Sequence, residues 1–193
     1  MRGRTGIFVT VGMLLGLCLA MKPVAGRAAE AGGDGISYDQ TASEEDQVKH
    51  REVGVEGMYP VCGADVADGV YEVEVESSSS MFRVEKAELQ VREGEMRAVL
   101  TLGGTGYLKL FMGTKGEAAE SDPSEYIGYT EDEEGRYTYE VPVEALDLPI
   151  DCAAFSRNRE KWYDRQIVFR AGSLPDGAVL TELPDYEQVE RDA

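Results

Sequence analysis

Histidine is almost missing from this chain: one residue, His50, in 193. A metal centre built on clustered imidazoles is therefore excluded, as is a nucleophile activated by a neighbouring imidazole, because both need histidine held in a folded frame. His50 sits instead in a stretch of glycine, serine and acids. Cysteine is scarce too, with three residues and no Cys-x-x-Cys pair, which removes cysteine-rich zinc sites and dithiol redox centres. Cations are in short supply: 19 Lys and Arg face 37 Asp and Glu, a formal charge of −18. Such a surface repels nucleic acid and anionic lipid. Carboxylate, tyrosine or lysine chemistry remains open on composition, but no recognisable frame places those groups, so an enzyme is not expected.

One long apolar run is present, at the N-terminus. Arg2 and Arg4 precede an apolar stretch from Gly6 to Met21, and small residues follow at Ala25, Gly26, Ala28 and Ala29. That order is the order of a secretory signal peptide over residues 1–29, with an uncleaved anchor as the alternative. Leu17 is large where a lipoprotein signal has a small residue before its cysteine, so lipidation at Cys18 is not expected. This segment holds four of the 19 cations and no acid, which leaves 15 against 37 and a net charge of −22 for the remainder. The expected location is outside the cell, secreted or at the surface, with membrane attachment only through an uncleaved N-terminus. Export permits a disulfide, and Cys62 and Cys152 are an even pair; they are either joined or two free thiols, with Cys152 inside a strand.

Residues 30–57 are poor in apolar side chains and read as a flexible acidic linker; residues 173–193 read as a flexible tail. Between them, residues 58–172 read as one β domain. "DGVYEVEVE" alternates, with Tyr71, Val73 and Val75 on one face and glutamates on the other. "AELQV" and "MRAVLTL" repeat the alternation around the turn "REGE". "YLKLFMG", "YIGYT", "YTYEVPV", "IDCAAFS" and "WYDRQIVFR" follow, and "EAAESDPSEY" reads as a helical turn ending before Pro123. Seven or eight short strands at regular spacing predict an immunoglobulin-like antiparallel β-sandwich. "GGTG" lacks the Lys-Ser/Thr of a phosphate loop and reads as a turn. "EDEEGR" lacks the spaced ligands of a calcium loop and reads as a solvated acidic turn.

"SSSSMF", Ser77 to Phe82, breaks the strand pattern. Small polar residues tolerate irregular backbone and bond to it through their hydroxyls. Met81 and Phe82 would then either plug the end of the sandwich or form a lip over a cleft.

These segments together resemble the NEAT (near iron transporter) domains of Gram-positive surface proteins over about Asp68 to Arg170. "DGVYEVEV" is similar to the family's first strand, "SSSSMF" to its lip and "PIDCAAFSRNREKWYDRQIVF" to its last hairpin. In the family that hairpin carries Tyr-x-x-x-Tyr, whose first tyrosine ligates haem iron. Tyr163 matches the second tyrosine; the position of the first holds Arg159. The resemblance implies a haem-like flat ligand between Ser80, Met81 and Phe82 on one side and the hairpin on the other. Phe155 and Trp162 would flank it, Arg157 and Arg159 would meet its carboxylates, and Met81 or Met112 would be the available iron ligand. The cofactor itself is unassigned, haem being the candidate. Its partners would be haem or a haemoprotein in bacterial iron acquisition. The alternative is a surface module that binds protein or glycan through an apolar lip, with no haem.

Overall fold

A computed structural model describes residues 36–46, 51–54 and 58–183. The expected signal segment and His50 lie outside the described residues. Among the described residues, ten strands form two five-stranded sheets in which every pair is antiparallel. In chain order they are β1 (Gly69–Glu72), β2 (Val75–Ser77), β3 (Val84–Arg92), β4 (Glu95–Leu102), β5 (Tyr107–Met112), β6 (Ile127–Gly128), β7 (Thr130–Glu131), β8 (Tyr137–Pro142), β9 (Ile150–Ser156) and β10 (Lys161–Phe169), with one short helix, α1 (Lys115–Glu120), between β5 and β6. The first sheet runs β1-β3-β4-β8-β7 and the second β2-β10-β9-β5-β6. This is the expected β-sandwich.

The strand count exceeds expectation because two runs each serve both sheets. "DGVYEVEVE" is not one strand: Gly69–Glu72 pairs with β3, and Val75–Ser77 pairs with β10. The chain crosses at Val73 and Glu74, where Val73 N–H donates to the Ala87 carbonyl and Arg170 N–H to that of Glu74. "YIGYT" divides in the same way around Tyr129, β6 joining β5 and β7 joining β8. A crossing segment thus closes each side of the sandwich, which leaves short edges.

The β3–β4 hairpin turns on Glu93 and Gly94, both with positive φ (53° and 81°), the pairing that a two-residue turn requires. Its inward side chains, among them Leu89, Ala98 and Leu100, are fully buried and face Cys152, Ala154, Ile167 and Phe169 of the second sheet. The second sheet is buried on its outer face as well. There Ala153, Phe155 and Trp162 pack under α1 and Tyr126. That double burial explains the unbroken apolar run "CAAF". α1 starts at a capping box between Thr114 and Glu117, earlier than the expected turn.

Three expectations need correction. Residues 36–46, expected as linker, lie on the domain: Ala42 is buried, and Thr41 bridges Trp162 in parallel. Tyr38 brings an apolar ring to an aromatic floor, which a composition average over the segment conceals. The expected tail is likewise held as far as Leu180, since Ala67 N–H donates to the Ala178 carbonyl and Leu180 N–H to that of Asp65. Finally, Cys62 and Cys152 do not pair. Cys152 is a free, fully buried thiol pointing between the sheets from β9. The residue after Cys62, Gly63, abuts the Gly94 carbonyl at the β3–β4 turn, whereas Cys152 lies within β9.

Phe82 is fully buried and its ring meets Tyr107 edge-to-face at 5.4 Å, so it plugs the core, whereas Met81 is 66% exposed. Phe82→Ala should cost about 3–5 kcal/mol and Met81→Ala less than about 0.5 kcal/mol in urea unfolding.

Candidate ligand-binding end of the sandwich

The serine tract is a hydrogen-bonded frame. Ser77, Ser78 and Ser79 are buried. Ser78 bonds β10 twice: its N–H donates to the Gln166 carbonyl, and its Oγ accepts from Gln166 N–H, both at 2.9 Å. From the other side Arg51 donates its N–H to the Ser78 carbonyl and Nη2 to that of Ser77. Beyond Ser78 the bonds lengthen. Ser77 Oγ and Ser79 N–H, Ser79 Oγ and Met81 N–H are each 3.3 Å apart, and the chain turns back as Phe82 N–H donates to the Ser79 carbonyl at 3.0 Å. Ser80 and Met81 form the exposed tip. Serine suits this turn because its short hydroxyl replaces the strand ladder that ends at Ser77.

Beneath the tip, Tyr107 starts β5 and pairs with Ser156, the last residue of β9. Its hydroxyl donates to the Met81 carbonyl at 3.4 Å. Arg165, from β10, places Nη2 at 3.4 Å from the same hydroxyl and stacks its guanidinium over the Tyr163 ring at 5.2 Å. Tyr139 donates its hydroxyl to the Tyr107 carbonyl, and burial raises its phenol pKa. The lip and the last hairpin therefore meet through Tyr107 and Arg165.

The residues singled out in the sequence do not share one face. Ser80 and Met81 are at the tip, and Phe82 turns inward. Tyr163 faces the interior beside Arg165. Phe155 and Trp162 point to the opposite, outer face and are fully buried there. Tyr38 covers them, its ring 4.5 Å from Phe155 and 6.4 Å from Trp162. Trp162 Nε1 donates to the Tyr38 carbonyl, and the Trp162 backbone bonds Gln40 and Ala42. Lys161 closes the strap through Asp46 at 3.2 Å. Phe155 and Trp162 are consequently unavailable to a flat ligand while residues 36–46 are in place. Arg159 is exposed on the hairpin turn. Arg157 is held by the Tyr137 hydroxyl, and Tyr137 stacks on Tyr129 at 3.6 Å and 6°. Met112 lies partly buried against the core, near Cys152 in register.

Sequence reading missed Arg165 and Tyr38. In "WYDRQ" Arg165 looks like any surface cation. The signal was its parity with Ile167 and Phe169, which puts it on the inward face. A shallow pocket of about 410 Å³ lies between the start of α1 and β9–β10, with Arg165 in its lining beside Asp151, Asp164 and Gln166. Its carboxylates are already engaged, Asp164 by Lys115 and Asp151 by Gln166. Among the described residues no group of three His, Cys, Asp or Glu could hold a metal, and no helix is long and apolar enough to cross a membrane.

These features define a two-sheet antiparallel β-sandwich with a serine-framed lip over one end. No family model and no curated protein matches the chain. Among solved structures, the NEAT5 domain of IsdX2, a B. anthracis hemophore in complex with heme, aligns with 17% identity over 53% of this chain and 96% of that domain, at a TM-score of 0.41. At that score the fold assignment rests on strand order and register alone.

Two outcomes follow. Trp162 is the chain's single tryptophan, so Tyr38→Ala should move its fluorescence to longer wavelength and cost about 1–3 kcal/mol. Burial pushes the Cys152 thiol up to about 12, so it should resist iodoacetamide at about pH 8 until the protein is unfolded.

Proposed function

We propose that the chain is an exported, non-catalytic ligand-binding module that takes an anionic ligand with a flat apolar body at its lip end. Haem is the ligand this reading puts first. The observation that carries it is the position of Met81: a large apolar side chain, 66% exposed, at the tip of a turn anchored at Ser78, with its carbonyl meeting the Tyr107 hydroxyl. A thioether there can meet an apolar ring or serve as a soft iron ligand.

The second reading is a surface module that binds an extended protein segment. It draws on β10, whose edge beyond β2 already accepts residues 40–42 through backbone bonds. An extended segment would bind there by displacing residues 40–42 from the edge.

Haemin titration separates the two. The haem reading expects a saturable Soret shift, with affinity about tenfold or more weaker in Met81→Ala. An unchanged spectrum across the titration rules haem out and leaves the extended-segment reading.

A further inference from the structure

Arg165 is 3% exposed, yet no carboxylate lies within ion-pair distance of it among the described residues. Arginine is almost never buried to this extent without a paired anion. Its Nη1 donates to the Asp164 carbonyl at 2.6 Å, and Nη2 reaches the Tyr107 hydroxyl at 3.4 Å. Nε is buried with no hydrogen-bond partner among the described residues. A carbonyl, a phenol and a tyrosine ring solvate the charge but do not neutralise it.

The neighbouring acids cannot do so. Asp164 is adjacent in sequence, so its side chain points to the other face of the sheet, where Lys115 binds it. Asp151 also lies outward and accepts from Gln166. Opposite Arg165 in the ladder stands Cys152, whose thiol keeps its proton in the buried setting. The guanidinium thus retains a full charge and an unused donor beneath the lip.

The bonds on its lip side are the long ones. Ser78 anchors the lip at 2.9 Å, but the Ser79–Met81, Tyr107–Met81 and Arg165–Tyr107 links are 3.3–3.4 Å. The tip can lift about Ser79 and Ser80 while Ser78 stays fixed on β10. Lifting it uncovers the guanidinium, the Tyr107 hydroxyl and the apolar Met81 together.

We infer that Arg165 is the anchor of a carboxylate-binding site under the serine lip, which binds one carboxylate through Nε and Nη2 with the Tyr107 hydroxyl as a further donor. Guanidinium Nε and Nη form the planar pair that a carboxylate accepts in bidentate fashion. The inference goes beyond the haem reading and does not require it: the carboxylate belongs either to a small free acid or to a side arm of a larger flat ligand.

The test is acetate titration of the whole chain at constant ionic strength, with chloride as the control, read by the ¹⁵N NMR signal of Arg165 Nε–H. Acetate should move that signal saturably while chloride does not. It should also raise the thermal midpoint by about 3–5 °C once it exceeds its dissociation constant tenfold. Arg165→Met should fold with an equal or higher midpoint in the absence of acetate and show no acetate response. A purely structural arginine gives the reverse, a lower midpoint for Arg165→Met or its failure to fold, and that overturns the site. Haemin and its dimethyl ester distinguish the source: a response to haemin but not to the ester places the carboxylate on the larger ligand, and a response to acetate alone places it on a small acid. No movement of the Nε–H signal with either acetate or haemin also overturns it. Haemin bound equally well by Arg165→Met leaves the haem reading standing and removes this one.

Discussion

The paired bonds between Ser78 and Gln166 hold the lip end of this protein in place. They are made where β2 runs out, and they replace a strand ladder with a side-chain hydroxyl and one backbone bond. Because Ser78 is fixed on β10, the chain must reverse within the five residues 79–83 to start β3. That reversal sends Phe82 into the core and leaves Met81 outside. The edge-to-face meeting of Phe82 and Tyr107 then determines where the Tyr107 hydroxyl sits, and that hydroxyl lies between the lip and Arg165. A lost Ser78 anchor would loosen all of these at once.

The second constraint is the double burial of β9 and β10. Strands covered on both faces have little freedom of register, since a one-residue slip would exchange Cys152, Ala154 and Ile167 for Phe155 and Trp162. The inner face is closed by the opposite sheet and the outer by α1, Tyr126 and the strap of residues 36–46. This rigidity lets a lip built on β10 be positioned accurately, and it also removes the outer aromatics from ligand contact. An apolar floor that takes an intramolecular segment is already satisfied.

Much of the fold was legible in the residues. Period-two alternation gave β3, β4 and β8, and Glu93-Gly94 gave the turn between the first two. The sheet crossing within "DGVYEVEVE" was not legible, because a strand that changes partners keeps its alternation. Strap and tail were concealed for a different reason: few apolar residues signal disorder, yet one ring at Tyr38 and a few backbone bonds at Ala178 and Leu180 suffice when a sheet edge is waiting. At the candidate site, "SSSSMF" correctly marked an irregular segment, and the choice between plug and lid divides between its last two residues. Phe82 plugs; Met81 stays at the tip. Phe155 and Trp162 looked like ligand contacts because aromatics near a hairpin suit either role, and parity put them on the wrong face. Arg165 escaped notice because a sequence does not display the absence of a counterion.

The central claim is that the lip is anchored at Ser78 and soft at its tip. Native-state amide hydrogen exchange measures this directly. The Ser78 and Gln166 amides should exchange as slowly as those of Leu100 and Ile167 in the core, with the Met81 amide markedly faster. Rapid exchange at Ser78 and Gln166, at rates like those of the exposed turn around Gly104, would mean that the serines form a loose stem, and would contradict a lip fixed over Arg165.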